Sequence, residues 1–152
     1  APESKCMVIA MDNRFKQCIE EGKLVKIGIQ PDLIEKELIE SANDLKSAEK
    51  SLLEKNPKWA TVQAYYSMFH AGKALVLSKG YREKSHACLS IALKALFVEA
   101  NLLERKHLEH FRDCMALRMD ADYGAIYSKE TASQLIGWGN EFLIEAKKIL
   151  KL

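Results

Sequence analysis

The chain has 152 residues, of which 48% are hydrophobic and 29% are charged, and its formal net charge is +2. A chain of this length fits one domain that buries a sizeable core, and this composition excludes a membrane-embedded or disordered protein. The near balance of 23 basic and 21 acidic residues excludes a protein that coats nucleic acid through its overall charge, so any such contact must come from a local site.

The first residues and the cysteines bear on processing and compartment. Residues 1–10 are expected to be an N-terminal tail or non-native residues, because Met7 or Met11 could be the first residue of the native protein. The apolar run Cys6–Met11 is too short for a signal peptide, and no stretch reaches the about 20 apolar residues that span a bilayer. The cysteines form no Cys-x-x-Cys pair and lie far apart, at Cys6, Cys18, Cys88 and Cys114. We therefore expect free thiols in a reducing cytosol and a cytoplasmic location.

Helical patterns fill the first half of the chain, and the few prolines and glycines fall between them. A short helix is predicted at about residues 12–21, with a linker over residues 22–30. Pro31 can occupy the first turn of the next helix, in which apolar residues recur at steps of three and four. Asn56 is predicted to cap the start of a further helix, which Gly80 ends.

Three more helices follow, and no segment alternates between apolar and polar residues as a strand does. Ser85 is predicted to cap a helix that runs to about residue 100 and is apolar nearly all round, as a central helix is. The next helix covers about residues 104–121, and Ser128 caps the last one. Because the connections are short, the expected fold is all-α, an up-down antiparallel four-helix bundle with an additional short helix, in one domain over residues 11–152.

Tyr66, His70 and Lys73 share one strip of the second long helix, at positions i, i+4 and i+7. A phenol, an imidazole and an ammonium group could together grip a phosphate or carboxylate. The alternative is that Tyr66 and His70 satisfy each other while Lys73 lies in water. Similarly, His86 could bind an anion together with the backbone N–H groups of its helix start, or be a solvated first-turn residue behind the capping Ser85.

The helix at residues 104–121 carries a row of polar side chains on one face, namely His107, His110, Cys114 and Arg118. Two histidines and a cysteine could approach a zinc ion. However, a His-x-x-His pair on a helix is by itself rarely a metal site, so no metal is expected. At the helix end Arg118 and Asp122 can pair, and the structural alternative for Tyr123 is that it folds back onto the core.

The order of these motifs resembles that of the HEPN family. The segments are Ala64-x-Tyr66-x-x-Phe69-His70-Ala71-x-Lys73-Ala74-Leu75, Gly80, Lys84-Ser85-His86 and Arg118-x-x-Ala121-Asp122-Tyr123, followed by a final amphipathic helix. The likeness covers roughly residues 15–152. It implies a bundle of four main helices plus a short one, paired as a homodimer. It also implies work beside a minimal nucleotidyltransferase, in a toxin–antitoxin or defence module.

Some members of that family are metal-independent ribonucleases, which the resemblance makes an alternative function. Their motif is an arginine followed a few residues later by a histidine. Arg118 matches this arginine and is the candidate catalytic residue, but residues 119–127 contain no histidine. Tyr123 stands in that stretch, and a tyrosine with a pKa of about 10 is a poor base at neutral pH. Arg105 and His110 fit the spacing, but at the start of their helix.

We therefore expect a homodimeric binding module for a nucleotide or RNA, without a cofactor or a membrane contact. One alternative is a ribonuclease that uses Arg118 with His70, or Arg105 with His110. Another is a purely structural helical interaction protein. The residues expected to line the binding groove are Arg118, Asp122, Tyr123, Tyr66, His70, Lys73 and His86.

Overall fold

The computed structural model describes residues 13–121 and 127–152, with the side chains of all of these except residues 120 and 121. Helix α1 covers residues 13–20 of the described part. The further helices are α2 (Pro31–Leu53), α3 (Pro57–Ser78), α4 (His86–Leu93), α5 (Arg105–Ala121) and α6 (Lys129–Leu150), and the strands are β1 (Leu24–Lys26) and β2 (Tyr81–Glu83). A π-helical segment, Lys94–Val98, continues α4. The all-α class is confirmed, and none of the helices in this described part is both long and apolar enough to cross a membrane.

The helix starts follow the capping chemistry that the sequence predicts. Pro31 occupies the first turn of α2, where its missing N–H group is not needed. The side chains of Asn56, Ser85 and Ser128 each accept a hydrogen bond from the backbone N–H group three residues later, over 3.3, 3.3 and 3.0 Å. These bonds satisfy donors that have no partner within the helix, so the predicted caps of α3, α4 and α6 are confirmed.

Helix α3 lies at the centre of the fold, where it contacts α2, α4, α5, α6 and β2. Its buried residues cover most of the helix surface, and the side that carries Tyr66, His70 and Lys73 is only partly buried. The helix predicted from Ser85 to about residue 100 is present as α4 and the π-helical segment that continues it to Val98. The prediction that it would be the central helix is wrong, because α3 holds that place. The up-down order of a four-helix bundle stays a prediction.

Strands β1 and β2 form a two-stranded antiparallel sheet that the sequence analysis missed. Leu24 pairs with Glu83, and Lys26 pairs with Tyr81. Each strand has only three residues, which is too short for an alternating pattern to be recognised. The sheet fastens the segment after α1 to the segment that joins α3 and α4.

The expectation of free thiols is wrong for two cysteines, because Cys18 of α1 and Cys88 of α4 form a disulfide. Their Cα atoms are 5.9 Å apart, although the residues are 70 positions apart in sequence. The sheet explains this approach, since β1 follows α1, β2 precedes α4, and their pairing places the two helices side by side. Cys114 is a buried free thiol, and Cys6 lies outside the described residues.

Gly80 ends the turn after α3, as predicted, with a φ angle of +81°. A Cβ atom there would lie 3.1 Å from the backbone oxygen of Ile27, and a side chain in this left-handed region is strained. We expect Gly80→Ala to lower the free energy of unfolding by about 1–2 kcal/mol in urea denaturation. Gly137→Ala is the matched control, because no described atom lies within 4 Å of a Cβ built at Gly137. It should stabilise α6 by up to about 1 kcal/mol, so equal effects of the two changes would refute the explanation.

Candidate functional site

Arg118, near the end of α5, reaches the side chain of Tyr66 on α3. Its Nη2 atom donates a hydrogen bond to Tyr66 Oη over 3.1 Å, and its guanidinium carbon lies 5.7 Å from the centre of the Tyr66 ring. A guanidinium group near an aromatic ring is attracted by the negative face of the ring. Both side chains are half-buried, so they keep contact with solvent. Tyr66 is therefore hydrogen-bonded to Arg118, and the alternative that Tyr66 and His70 satisfy each other is wrong.

His86, the first residue of α4, lies beside the ring of Tyr66 and is held by further aromatic contacts. Its Nδ1 atom is hydrogen-bonded to the hydroxyl group of Tyr65, and its ring stacks on Phe69 with 4.4 Å between the ring centres. The ring centre of Tyr66 lies 6.5 Å from that of His86. We call Tyr66, Phe69, His86 and Arg118 the arginine–aromatic site.

Burial, and then the positive charge of Arg118, lowers the pKa of His86, so the imidazole is neutral at neutral pH. Burial raises the pKa of Tyr65 above its usual range, so the phenol keeps its proton. A neutral phenol and a neutral imidazole therefore share the hydrogen bond between the Tyr65 hydroxyl group and Nδ1 of His86. The arginine–aromatic site thus combines the positive charge of Arg118 with an uncharged imidazole.

His70 and Lys73 face acidic side chains instead. The Nδ1 atom of His70 is 2.6 Å from Glu37 Oε2, and its Nε2 atom is 3.6 Å from Asp44 Oδ2. The Nζ atom of Lys73 is 3.6 Å from Glu37 Oε1 and 3.4 Å from Glu83 Oε1. We call these five residues the α2–α3 ion network. Its acids compensate the two basic side chains, and a contact of His70 or Lys73 with a ligand stays a prediction.

The groups of this network shift one another's titration. The hydrogen bond to Glu37 outweighs burial and raises the pKa of His70. Burial by itself would raise the pKa of Glu37, but the hydrogen bond from His70 and the charge of Lys73 lower it. Burial raises the pKa of Asp44 and of Glu83. The charged form of the His70–Glu37 pair is therefore favoured by the fold.

Removing the His70 imidazole should change how stability depends on pH. Because the pKa of His70 is raised by folding, its contribution is fully present below its unfolded pKa of about 6.5 and is lost as the pH rises through the folded value. The lowered pKa of Glu37 acts at low pH, where its contribution to the free energy of unfolding is lost as the pH falls below about 4.3. We expect the free energy of unfolding to decline from about pH 6 to about pH 8 more steeply in the wild type than in His70→Gln.

Urea denaturation at several pH values measures how the free energy of unfolding depends on pH in the wild type and in His70→Gln. The control is His86→Gln, because the lowered pKa of His86 contributes with the opposite sign. Replacing His86 should therefore make the free energy of unfolding decline more steeply as the pH rises. Parallel curves for the wild type and His70→Gln would show that the imidazolium of His70 does not stabilise the fold.

Arg105 and His110, the alternative ribonuclease pair, contact different neighbours. Arg105 forms an exposed ion pair with Glu99 over 3.7 Å. His110 stacks on Trp138 of α6 with 4.1 Å between the ring centres. These contacts do not bring the two side chains together, so the geometry gives this pair less support than the pairing of Arg118 with Tyr66.

Two of the predicted groove residues, Asp122 and Tyr123, lie outside the described residues, and their roles stay predictions. The sequence analysis did not identify Tyr65 and Phe69 as part of the site. Both follow the apolar period of α3, which favours a core position over a place in a site. Their position on either side of Tyr66 in the same motif is the signal that could have indicated their contact with His86.

Comparison with known proteins matches this chain to the HEPN domain over residues 35–150. It is 34% identical over 94 residues to "Putative toxin MJ0142" of Methanocaldococcus jannaschii, which covers 60% of this chain and 64% of that protein. It is 34% identical over 116 residues to "Putative toxin MJ0605" of the same organism, with 75% of this chain and 87% of that protein covered. The "UPF0332 protein PH1297" of Pyrococcus horikoshii is 35% identical over 92 residues, 59% of this chain and 65% of that protein.

The matches differ in how much of each relative they cover. The first and third span slightly less than two thirds of the relative's length, 64% and 65%, and the second spans 87%. The domain match runs from α2 to the end of α6 and contains both the arginine–aromatic site and the α2–α3 ion network. It covers well over half of the sequence. The chain therefore belongs to the HEPN family.

Proposed function

We propose that the protein is a HEPN-type binding module, a homodimer that holds RNA or a nucleotide at the arginine–aromatic site. The observation that carries this proposal is the guanidinium of Arg118 on Tyr66, next to neutral His86 stacked on Phe69. A guanidinium binds phosphate oxygens through its planar fork of donors, and aromatic rings stack on bases. The site therefore offers matching chemistry for both the charged and the flat part of a nucleotide.

The setting of this activity is proposed from the relatives. Two of them, from Methanocaldococcus jannaschii, are named as putative toxins. These names support a role in a toxin–antitoxin or defence module. The cytoplasmic location and a minimal nucleotidyltransferase as the partner belong to the proposal through the family resemblance alone. A homodimer would present two copies of Arg118 to one bound RNA or partner surface.

The state of the histidines favours binding over RNA cleavage. In a ribonuclease that works with Arg118, a histidine has to accept a proton from the ribose 2′-hydroxyl. Nδ1 of His86 is already engaged in the hydrogen bond with Tyr65. Both nitrogens of His70 face carboxylates, at 2.6 and 3.6 Å. The alternative, a metal-independent endoribonuclease that uses Arg118 with His70, therefore needs His70 to leave at least one of these carboxylates.

An RNA titration, together with calorimetry and co-purification, separates the three functions considered for this chain. Labelled single-stranded RNA is titrated with the protein in the presence of EDTA, anisotropy reports binding, and a gel of the same samples reports cleavage. The proposal predicts saturable binding that weakens with salt and leaves the RNA intact. Cleavage that persists in EDTA would identify the ribonuclease instead. A protein that neither binds nor cleaves RNA, binds no nucleotide in calorimetry and co-purifies with no nucleotidyltransferase would be a structural interaction protein, and the proposal would fail.

Sedimentation equilibrium tests the homodimer separately. The wild type should sediment at twice the mass of the 17.2 kDa chain at the concentrations used for the titration. A monomer that still binds RNA would remove the dimer from the proposal but leave the arginine–aromatic site in place.

A further inference from the structure

Three metal-binding side chains meet between α5 and α6, namely His107, His110 and Glu141. One ligand atom of each lies within 4.8 Å of the ligand atoms of the other two. The cluster is separate from the arginine–aromatic site, because Arg118 follows His110 by eight residues, or about 12 Å along the helix.

Glu141 supplies the carboxylate of this cluster. From the sequence, Cys114 was considered as the third ligand, and no metal was expected. Cys114 is fully buried, and burial raises the pKa of its thiol to about 12, so it keeps its proton. The packing of α6 against α5 brings in Glu141, which lies 31 positions after His110. This contact could not be predicted from local spacing.

Both imidazoles have a buried nitrogen that the protein does not satisfy. Nδ1 of His107 and Nδ1 of His110 are buried and make no hydrogen bond to the described residues. His107 as a whole is only 3% exposed. A buried polar atom without a partner costs free energy, and an ion bound by the imidazole is one of the recognised ways to remove that cost.

Both imidazoles are also held in place by aromatic neighbours. The ring of His110 lies parallel to Trp138 at 4.1 Å, and the ring of His107 lies edge-on to Phe142 at 6.3 Å. Both aromatic partners belong to α6, so this helix orients both ligands.

We propose that His107, His110 and Glu141 bind a divalent transition metal, with zinc as the best match, and so fasten α5 to α6. Two imidazoles and one carboxylate are a ligand set that zinc takes with an open position for water. Zinc–ligand bonds of about 2.0–2.2 Å require the ligand atoms to lie about 3.5 Å apart. Glu141 is exposed and its side chain is flexible, so it can move inward by the remaining distance.

The site is tested on the full, oxidised chain after its metal has been removed with EDTA and dialysis. With zinc at about 100 times its dissociation constant, the thermal midpoint should rise by about 5–11 °C. Calorimetry should find one zinc ion per chain, and cobalt(II) should give the visible absorption bands of a low-coordinate site. Glu141→Gln and His110→Gln should each abolish the thermal shift and the cobalt bands. Buried His107 is left unchanged, because replacing it endangers the fold itself.

Glu130→Gln is the matched control, since it removes the same charge from another exposed position of α6. It should keep the full shift and the cobalt bands. The proposal is overturned if zinc leaves the midpoint of the wild type unchanged, or if Glu141→Gln responds to zinc as the wild type does. Neither result depends on RNA binding, so the zinc site and the proposed function can each be refuted without refuting the other.

Discussion

A variant with serine at both Cys18 and Cys88 is expected to lose about 4 kcal/mol of its free energy of unfolding. The disulfide joins residues that are 70 positions apart, so it restricts a long loop of the unfolded chain. The entropy that a cross-link removes from the unfolded state grows with the length of this loop. Urea denaturation under oxidising conditions, followed by circular dichroism, measures the difference.

The wild type in the presence of a reducing agent is the matched control for this variant. It should unfold at the urea concentration at which the double serine variant unfolds, and the reductant should leave the variant itself unaffected. If the oxidised wild type and the variant have the same midpoint, the disulfide between α1 and α4 does not contribute to stability.

Phe111→Ala should destabilise the fold by about 3–5 kcal/mol, because the ring is fully buried where three helices meet. Its centre lies 6.0 Å from that of Tyr65 on α3 and 6.1 Å from that of Phe142 on α6. Truncation removes the transfer free energy of the ring and leaves a cavity between the helices. The free energy of unfolding from urea titrations gives this loss.

Met119→Ala on the same helix is the control, since Met119 is 54% exposed. It should change the free energy of unfolding by no more than about 0.5 kcal/mol. A loss below about 1 kcal/mol for Phe111→Ala would mean that α5 is not packed between α3 and α6 as described.

The helices could be predicted because their signals are local. Asn56, Ser85 and Ser128 cap backbone groups within the next three residues, so a short stretch of sequence contains the whole interaction. The sheet and the disulfide depend on distant partners, as the pairing of Leu24 with Glu83 shows. Nothing within one helix or turn indicates which distant segment will be its neighbour.

The candidate site could be predicted only in part, for the same reason. Tyr66 and Arg118 are 52 positions apart, and the resemblance to a family related them where periodicity could not. Glu37 and Asp44, which contact His70, were missed because their approach depends on which face of α2 packs against α3. Glu141 is a further example, since only the packing of two helices reveals it beside His110.

The central claim is that Arg118 binds a phosphate of the bound nucleic acid. The dissociation constants of the wild type and its variants for one short single-stranded RNA test this claim most directly. At equal salt, Arg118→Gln should bind at least about tenfold more weakly than the wild type, because a charged hydrogen bond is lost. Arg105→Gln removes the same charge from α5 at a position that is 57% exposed and paired with Glu99, and it should bind almost as the wild type does. Unchanged affinity in Arg118→Gln, or equal weakening in both variants, would contradict the account.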